Sequence, residues 1–159
     1  MKKTNYLSII VAVLVICTLF IPSNVNATQS IPTTKDIIRL ENGDYLETTI
    51  TSSPAVKSYS AARSKIKDIT KTKTTSYKNS AGAVMWSVSI TATFYYDGTS
   101  ATCVSCSHSA SAPGKSWSIK SVSSSKSGNS ATAVATATHS TADFTQSVTI
   151  SCNRNGVVY

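Results

Sequence analysis

AVMWSVSITATFYY, residues 83–96, alternates without a break. In an extended chain Val84, Trp86, Val88, Ile90, Ala92 and Phe94 share one face, while Ser87, Ser89, Thr91, Thr93 and Tyr95 take the other. A period of two is the pattern of a strand that buries one side, and β-branched and aromatic residues suit its pleated surface. The flanks repeat the theme. Lys65–Tyr77 leads into an Asn79-Ser80-Ala81-Gly82 turn, and Asp97-Gly98 turns the chain into Ser100–Ser109. Pro113-Gly114 turns it again into Ser116–Ser125, where Trp117 and Ile119 alternate. Ser127-Gly128-Asn129 introduces Ser130–His139, with Ala131, Ala133, Ala135 and Ala137 on one face. After a loop at 140–144, Thr145–Asn153 places Val148, Ile150 and Cys152 together. About six strands separated by turns predict an all-β fold. The expected architecture is an antiparallel β-sandwich, Greek-key or immunoglobulin-like, over residues 65–159. The alanine-faced strand implies close approach of two sheets or a lightly covered face.

Upstream, residues 28–64 read as an N-terminal hairpin and linker. Ile37-Ile38-Arg39-Leu40 and Tyr45–Ile50 flank Asn42-Gly43-Asp44, and Asn-Gly accepts the positive φ of tight turns. Residues 51–64, with Ser52, Ser53 and Pro54, read as the linker, with room for a short helix at 55–63. The pattern is compatible with a pro-segment and with the first hairpin of the domain.

Residues 1–27 have the form of a cleavable secretory signal peptide. Lys2 and Lys3 precede a nearly unbroken apolar run from Leu7 to Ile21, Pro22 ends it, and Val25-Asn26-Ala27 supplies a cleavage site after Ala27. The run is shorter than the roughly 20 residues a membrane span needs, and bulky Ile16 before Cys17 argues against lipidation. The expectation is a secreted, extracellular product that touches a membrane only through its signal. The remainder, 28–159, suits one domain. It carries 13 basic and 7 acidic side chains, a net +6, and roughly a third of it is Ser or Thr.

Several stretches together resemble a family of small secreted proteins of Gram-positive bacteria, a domain of unknown function. They are Tyr77-Lys78-Asn79-Ser80, Val84-Met85-Trp86-Ser87-Val88, Thr99–Cys103, the Ser123–Ala133 run through Ser127-Gly128-Asn129, and Val148-Thr149-Ile150-Ser151-Cys152. The resemblance covers most of the exported chain and implies secretion and fold, but no activity. It also implies a two-cysteine pattern that pairs Cys103 with Cys152, to which Cys106 is an addition. An exported chain meets oxidising conditions, so three cysteines mean one bridge and one thiol left over. A Cys103–Cys152 bridge would constrain the unfolded chain by about 4 kcal/mol on the loop-entropy account.

Other constellations are weaker. Cys103-Val104-Ser105-Cys106 has the spacing of a redox pair, but in a regular strand the two sulfurs point to opposite faces. Cys103, Cys106, His108, His139 and Cys152 are metal-ligating types without a second close ligand pair. Ala112-Pro113-Gly114-Lys115-Ser116 resembles the end of a phosphate loop, whose first glycine would fall on Ser109. Paired carboxylates would have to come from Asp97, Asp143 or the acids of the N-terminal hairpin, with nothing to bring them together. No cofactor, no nucleotide and no catalysis are expected. Trp86 and Phe94 are expected in the core, whereas Tyr95, Tyr96 and Trp117 could form a sugar-stacking surface.

Charge is the most informative functional signal. Lys65, Lys67, Lys71 and Lys73 have one parity, with Ile69 between them and Tyr77 further along, so a strand would line them on one face. Such a row suits an anionic cell-wall polymer or glycan. Nucleic acid fits poorly, because no aromatic residue but Tyr77 interleaves with the lysines. The plainer alternative is an edge strand whose lysines block aggregation. The functional expectation is a non-catalytic binding or surface module, and the alternative is a secreted antimicrobial or toxin-like protein.

Overall fold

The structure, a computed structural model, describes residues 32–52 and 66–159. The signal peptide, residues 53–65 and the basic side chains Lys57, Arg63 and Lys65 lie outside the described residues. Eight strands appear among the described residues: β1 (Pro32–Arg39), β2 (Tyr45–Ser52), β3 (Lys67–Lys78), β4 (Val84–Tyr96), β5 (Ala101–Ser111), β6 (Trp117–Ser127), β7 (Ser130–His139) and β8 (Ala142–Ser151). They form two antiparallel sheets, β1-β2-β3-β4-β5 and β6-β7-β8, packed as a sandwich. Every hydrogen-bonded neighbour in the sheets is a neighbour in sequence. The connection is thus an up-and-down meander, simpler than the expected Greek-key or immunoglobulin-like order. Short turns favour this order, since a tight hairpin pairs each strand with the one just before it and leaves its other edge for the one that follows.

The alternation in β4 becomes the core. Trp86, Val88, Ile90, Ala92 and Phe94 are all buried, and the intervening residues are partly or largely exposed. Opposite them lie Ala131, Ala133, Ala135 and Ala137 of β7 with Val148 and Ile150 of β8, all buried in the same cluster. Small alanines on one sheet make room for Phe94 and Ile90 on the other, so that large side chains of one layer face small ones of the other. The outer face of the five-stranded sheet is a hydroxyl surface. Thr70–Thr93, Thr72–Thr91 and Thr74–Ser89 pair across β3 and β4 at 2.8, 2.7 and 2.8 Å.

The N-terminal hairpin continues this sheet. β2 pairs with β3 from Tyr45↔Lys78 to Ser52↔Lys71, so the strand runs two residues into the stretch expected as linker. Its turn with β1 is a short loop in which Gly43 has φ +87° and its N–H bonds the Leu40 carbonyl at 3.1 Å. That left-handed position is open to glycine at no steric cost. Two stitches fasten the hairpin. Glu47 sits between Lys35 at 2.7 Å and Lys78 at 2.6 Å, tying three strands together. Asp44 accepts from the Tyr77 hydroxyl, from the Ser80 N–H at 3.0 Å and from Asn42 Nδ2 at 2.9 Å, joining the first turn to the β3–β4 turn.

The ladder between β4 and β5 is interrupted once. Phe94 faces Cys103 and Thr93 faces Ser105, leaving Val104 as the extra residue of a β-bulge. The Lys126 ammonium caps the exposed carbonyls there, donating to Cys103 O at 3.3 Å and Val104 O at 2.7 Å. A bulge reverses the parity of every later residue in its strand. Cys103 lies opposite Phe94 and Cys106 opposite Ala92, both core-face positions of β4. Cys103 and Cys106 therefore share a face, which corrects the expectation that they point apart. The regular-strand premise failed at one inserted residue.

Candidate functional site: a lysine shelf beside the aromatic end

Parity along β3 holds as expected and aligns Lys67, Ile69, Lys71, Lys73, Thr75 and Tyr77. Their β4 partners are Tyr96, Phe94, Ala92, Ile90, Val88 and Trp86. The lysine row is therefore on the core face of the sheet, at the margin of the core. The edge-strand alternative is corrected as well. β3 lies between β2 and β4, and the strand at this edge is β1.

Unequal sheet width exposes the row. The three-stranded sheet packs over β3, β4 and β5, with β8 lying across β3 and β4. On the same face beyond β3, Ser52, Ile50, Thr48 and Leu46 of β2 lie beside Lys71, Lys73, Thr75 and Tyr77. Further out, Thr34, Asp36 and Ile38 of β1 are exposed. The face of β1–β3 is thus a shelf next to the β8 edge. Lysine stems lie along the apolar margin while their ammonium groups reach over the shelf. Lys71 Nζ donates to Ser52 Oγ at 2.5 Å. Burial holds the Lys73 ammonium below the ordinary lysine pKa, with the Asp36 carboxylate opposing that shift. Lys67, at the far end, is exposed.

Tyr77 closes the other end of the shelf and is structurally committed. Its hydroxyl bonds Asp44, and its pKa is raised, first by burial and then by that bond. Its ring lies 5.4 Å from Trp117, which also meets Trp86 at 6.3 Å, His139 at 4.9 Å and Phe144 at 5.1 Å. Two non-glycine residues in the left-handed region flank this cluster, Ser116 (φ 66°) before Trp117 and Ser140 (φ 57°) after its register partner His139. Gly114 seats the preceding turn against β4, because a Cβ there would come within 2.8 Å of the Met85 backbone. Phe144, 42 % exposed, is the cluster's open side and was missed in sequence, where 140–144 read as loop. The signal was present in the alternation of Ala142, Phe144, Gln146, Val148 and Ile150.

The expected stacking trio is not assembled. Trp117 packs near the start of β4 beside Trp86, whereas Tyr95 and Tyr96 close the other end, about 30 Å away along a strand rising about 3.4 Å per residue. The remaining candidates also separate. His108 Nδ1 and Ser124 Oγ are hydrogen-bonded at 2.7 Å on β5 and β6, while His139 stacks on Trp117. Asp97 accepts from the Thr99 and Ser100 N–H groups at 2.8 Å each, bonds that hold its pKa down. Asp143 binds Lys120 at 2.5 Å and Thr138 at 2.7 Å, which lowers its pKa in the same way. Each carboxylate serves its own local structure. Among the described residues, no three His, Cys, Asp or Glu side chains converge as a metal site would require.

Among the described residues, the cysteines Cys103, Cys106 and Cys152 are free thiols. Cys103 and Cys152 are buried and Cys106 is half-buried. The Cys103 thiol donates to the Ser105 carbonyl and the Cys152 thiol to the Asn153 carbonyl, each at 3.4 Å. Burial pushes both thiols' pKa values up. Cys106 adds to the rise at Cys103, and Lys126 opposes it. The main chains of Cys103 and Cys152 meet one turn, since their N–H groups bond the Gly128 carbonyl at 2.8 Å and the Asn129 carbonyl at 3.0 Å. Compared with protein-family models, curated proteins and solved structures, the chain matches none.

Proposed function

We propose that this chain is an exported, non-catalytic binding module of the cell envelope or its matrix, and that its shelf contacts an anionic polymer. The observation that carries the reading is the placement of Lys71 and Lys73 at the open margin of the core. There they are flanked by the hydroxyls of Ser52, Thr48 and Thr34, with Asp36 the acid facing them. A row of fixed ammonium groups over hydroxyl-bearing strands suits a chain of phosphates or uronates, whose charges repeat and whose hydroxyls need partners. Partial burial lowers the local dielectric and strengthens each contact relative to a fully solvated lysine. The family resemblance and the signal-like N-terminus support an extracellular Gram-positive setting for such a partner.

The test is co-sedimentation of the exported protein with isolated Gram-positive cell walls, before and after chemical removal of their teichoic acid. Binding is expected to fall steeply with added salt, to drop on removal of the polyanion, and to weaken at least tenfold in Lys71→Gln/Lys73→Gln. Lys67→Gln, fully on the surface, guards against a folding artefact and should weaken binding by a smaller factor. Retention that resists salt and is indifferent to teichoic acid would overturn the proposal.

A further inference from the structure

We propose that Cys103 and Cys106 form a dithiol–disulfide site, created by the Val104 bulge, that closes by exchange with a disulfide-bearing oxidant.

The geometry is the argument. In an unbroken strand, residues three apart stand about 10 Å apart on opposite faces and cannot be bridged. Here Cys103 and Cys106 lie opposite Phe94 and Ala92, two residues apart on β4. Their main chains are thus separated by about 6.7 Å along the ladder, at the upper end of the Cα separations that disulfides span. Both side chains lie on the core face, where Cys106 adds to the rise that burial causes in the Cys103 pKa. The bulge is braced by the two Lys126 hydrogen bonds to the carbonyls of Cys103 and Val104, and that ammonium opposes in part the rise that burial imposes on the Cys103 thiol.

Exposure assigns the order of events. Cys106 is the more accessible thiol and Cys103 is buried. The Cys106 thiolate attacks one sulfur of the oxidant disulfide, giving a mixed disulfide and releasing one oxidant thiolate. The Cys103 thiolate then attacks the Cys106 sulfur and releases the second. Two cysteine thiols are oxidised, one external disulfide is reduced to two thiols, and the cysteine protons pass to the departing thiolates. Cys152, fully buried with its thiol on the Asn153 carbonyl, stays reduced.

Tryptic mapping separates the outcomes, because cleavage after Lys78 and Lys115 leaves Cys103 and Cys106 in one peptide, while cleavage after Lys126 and Arg154 isolates Cys152. The exported chain is treated with oxidised glutathione, quenched in acid, alkylated after denaturation and digested. The expected product is the 79–115 peptide lighter by two hydrogens and unalkylated, with the 127–154 peptide alkylated. Cys106→Ser should abolish the closed form and leave Cys103 open to alkylation or glutathione, and Cys152→Ser should leave the closed form unchanged. A cross-link between the 79–115 and 127–154 peptides, which is the Cys103–Cys152 bridge implied by the family resemblance, would overturn the proposal. So would three alkylated thiols after exhaustive oxidation.

Discussion

One five-stranded sheet contains two regions held by different physics. In the β4–β5 half, Val88, Ile90 and Phe94 are fully buried against the alanines of β7, and the apolar pattern itself fixes register. In the β1–β2 half Ile50 is the one buried side chain among the described residues, and Ile37 and Ile38 remain 44 % and 57 % exposed. Backbone ladders run through both halves, with register shifts at Pro32/Thr34, Tyr77/Lys78 and Thr93/Phe94. Polar cross-strand contacts replace apolar burial in the outer half: Lys35–Glu47–Lys78, the Asp44 hub, and the Thr48–Thr75 hydroxyl pair at 3.0 Å. A slip by one residue would break all of these together, so polar pairing can specify register where water reaches both faces.

The comparison can be broken most severely from the covered half. Phe94→Ala deletes the largest fully buried side chain from a packed interface and should cost about 3–5 kcal/mol of global stability. Urea denaturation should show a lower midpoint with every strand lost together. Asp44→Ala tests the outer half. It removes the acceptor of three hydrogen bonds, one of them from the part-buried Tyr77 hydroxyl, and should cost about 1–3 kcal/mol. Hydrogen exchange should quicken in β2 and around the 79–83 turn well before β4 or β7 responds.

The smallest effect sharpens the difference through pH. Hydrogen bonds from Lys35 and Lys78 hold the Glu47 carboxyl below its usual range. A depressed folded-state pKa adds stability that is present above the unfolded value of about 4.3 and lost as pH falls through the folded value. Acidification below about pH 4 should therefore loosen β1–β2 first. Glu47→Gln should flatten that acid limb and lower stability at neutral pH by about 0.5–1 kcal/mol, the upper part of the range for ion pairs near the surface. Thermal melts from pH 3 to 7, followed by exchange at β2, would check both statements.

The same contrast explains what was legible in sequence. Val84–Phe94 could be read residue by residue because burial on one side enforces a period of two. Asn42-Gly43 was legible because few residues tolerate its φ. The Val104 bulge was not, since a valine between alternating residues carries no mark of being unpaired, and it reversed the relation of Cys103 to Cys106. Lys71 and Lys73 were aligned correctly by parity. Which face they joined depended on the width of a second sheet some 70 residues later in the chain, and no local pattern encodes that. Phe144 was misassigned because Ser140-Thr141 made its neighbourhood look like loop, although the turn there is only the gap between His139 and Ala142.

The meander has a consequence for how the chain finds its structure. Apart from the stretch between β2 and β3, each strand pair within a sheet is joined by a connection of a few residues. Little loop-closure entropy is lost before each pair is rewarded. Closing one hairpin presents the edge on which the next strand assembles, so the sheets can grow outward from any seed. Sandwiches whose neighbouring strands lie far apart in sequence need slow, distant encounters. Here assembly is reduced to a series of near ones.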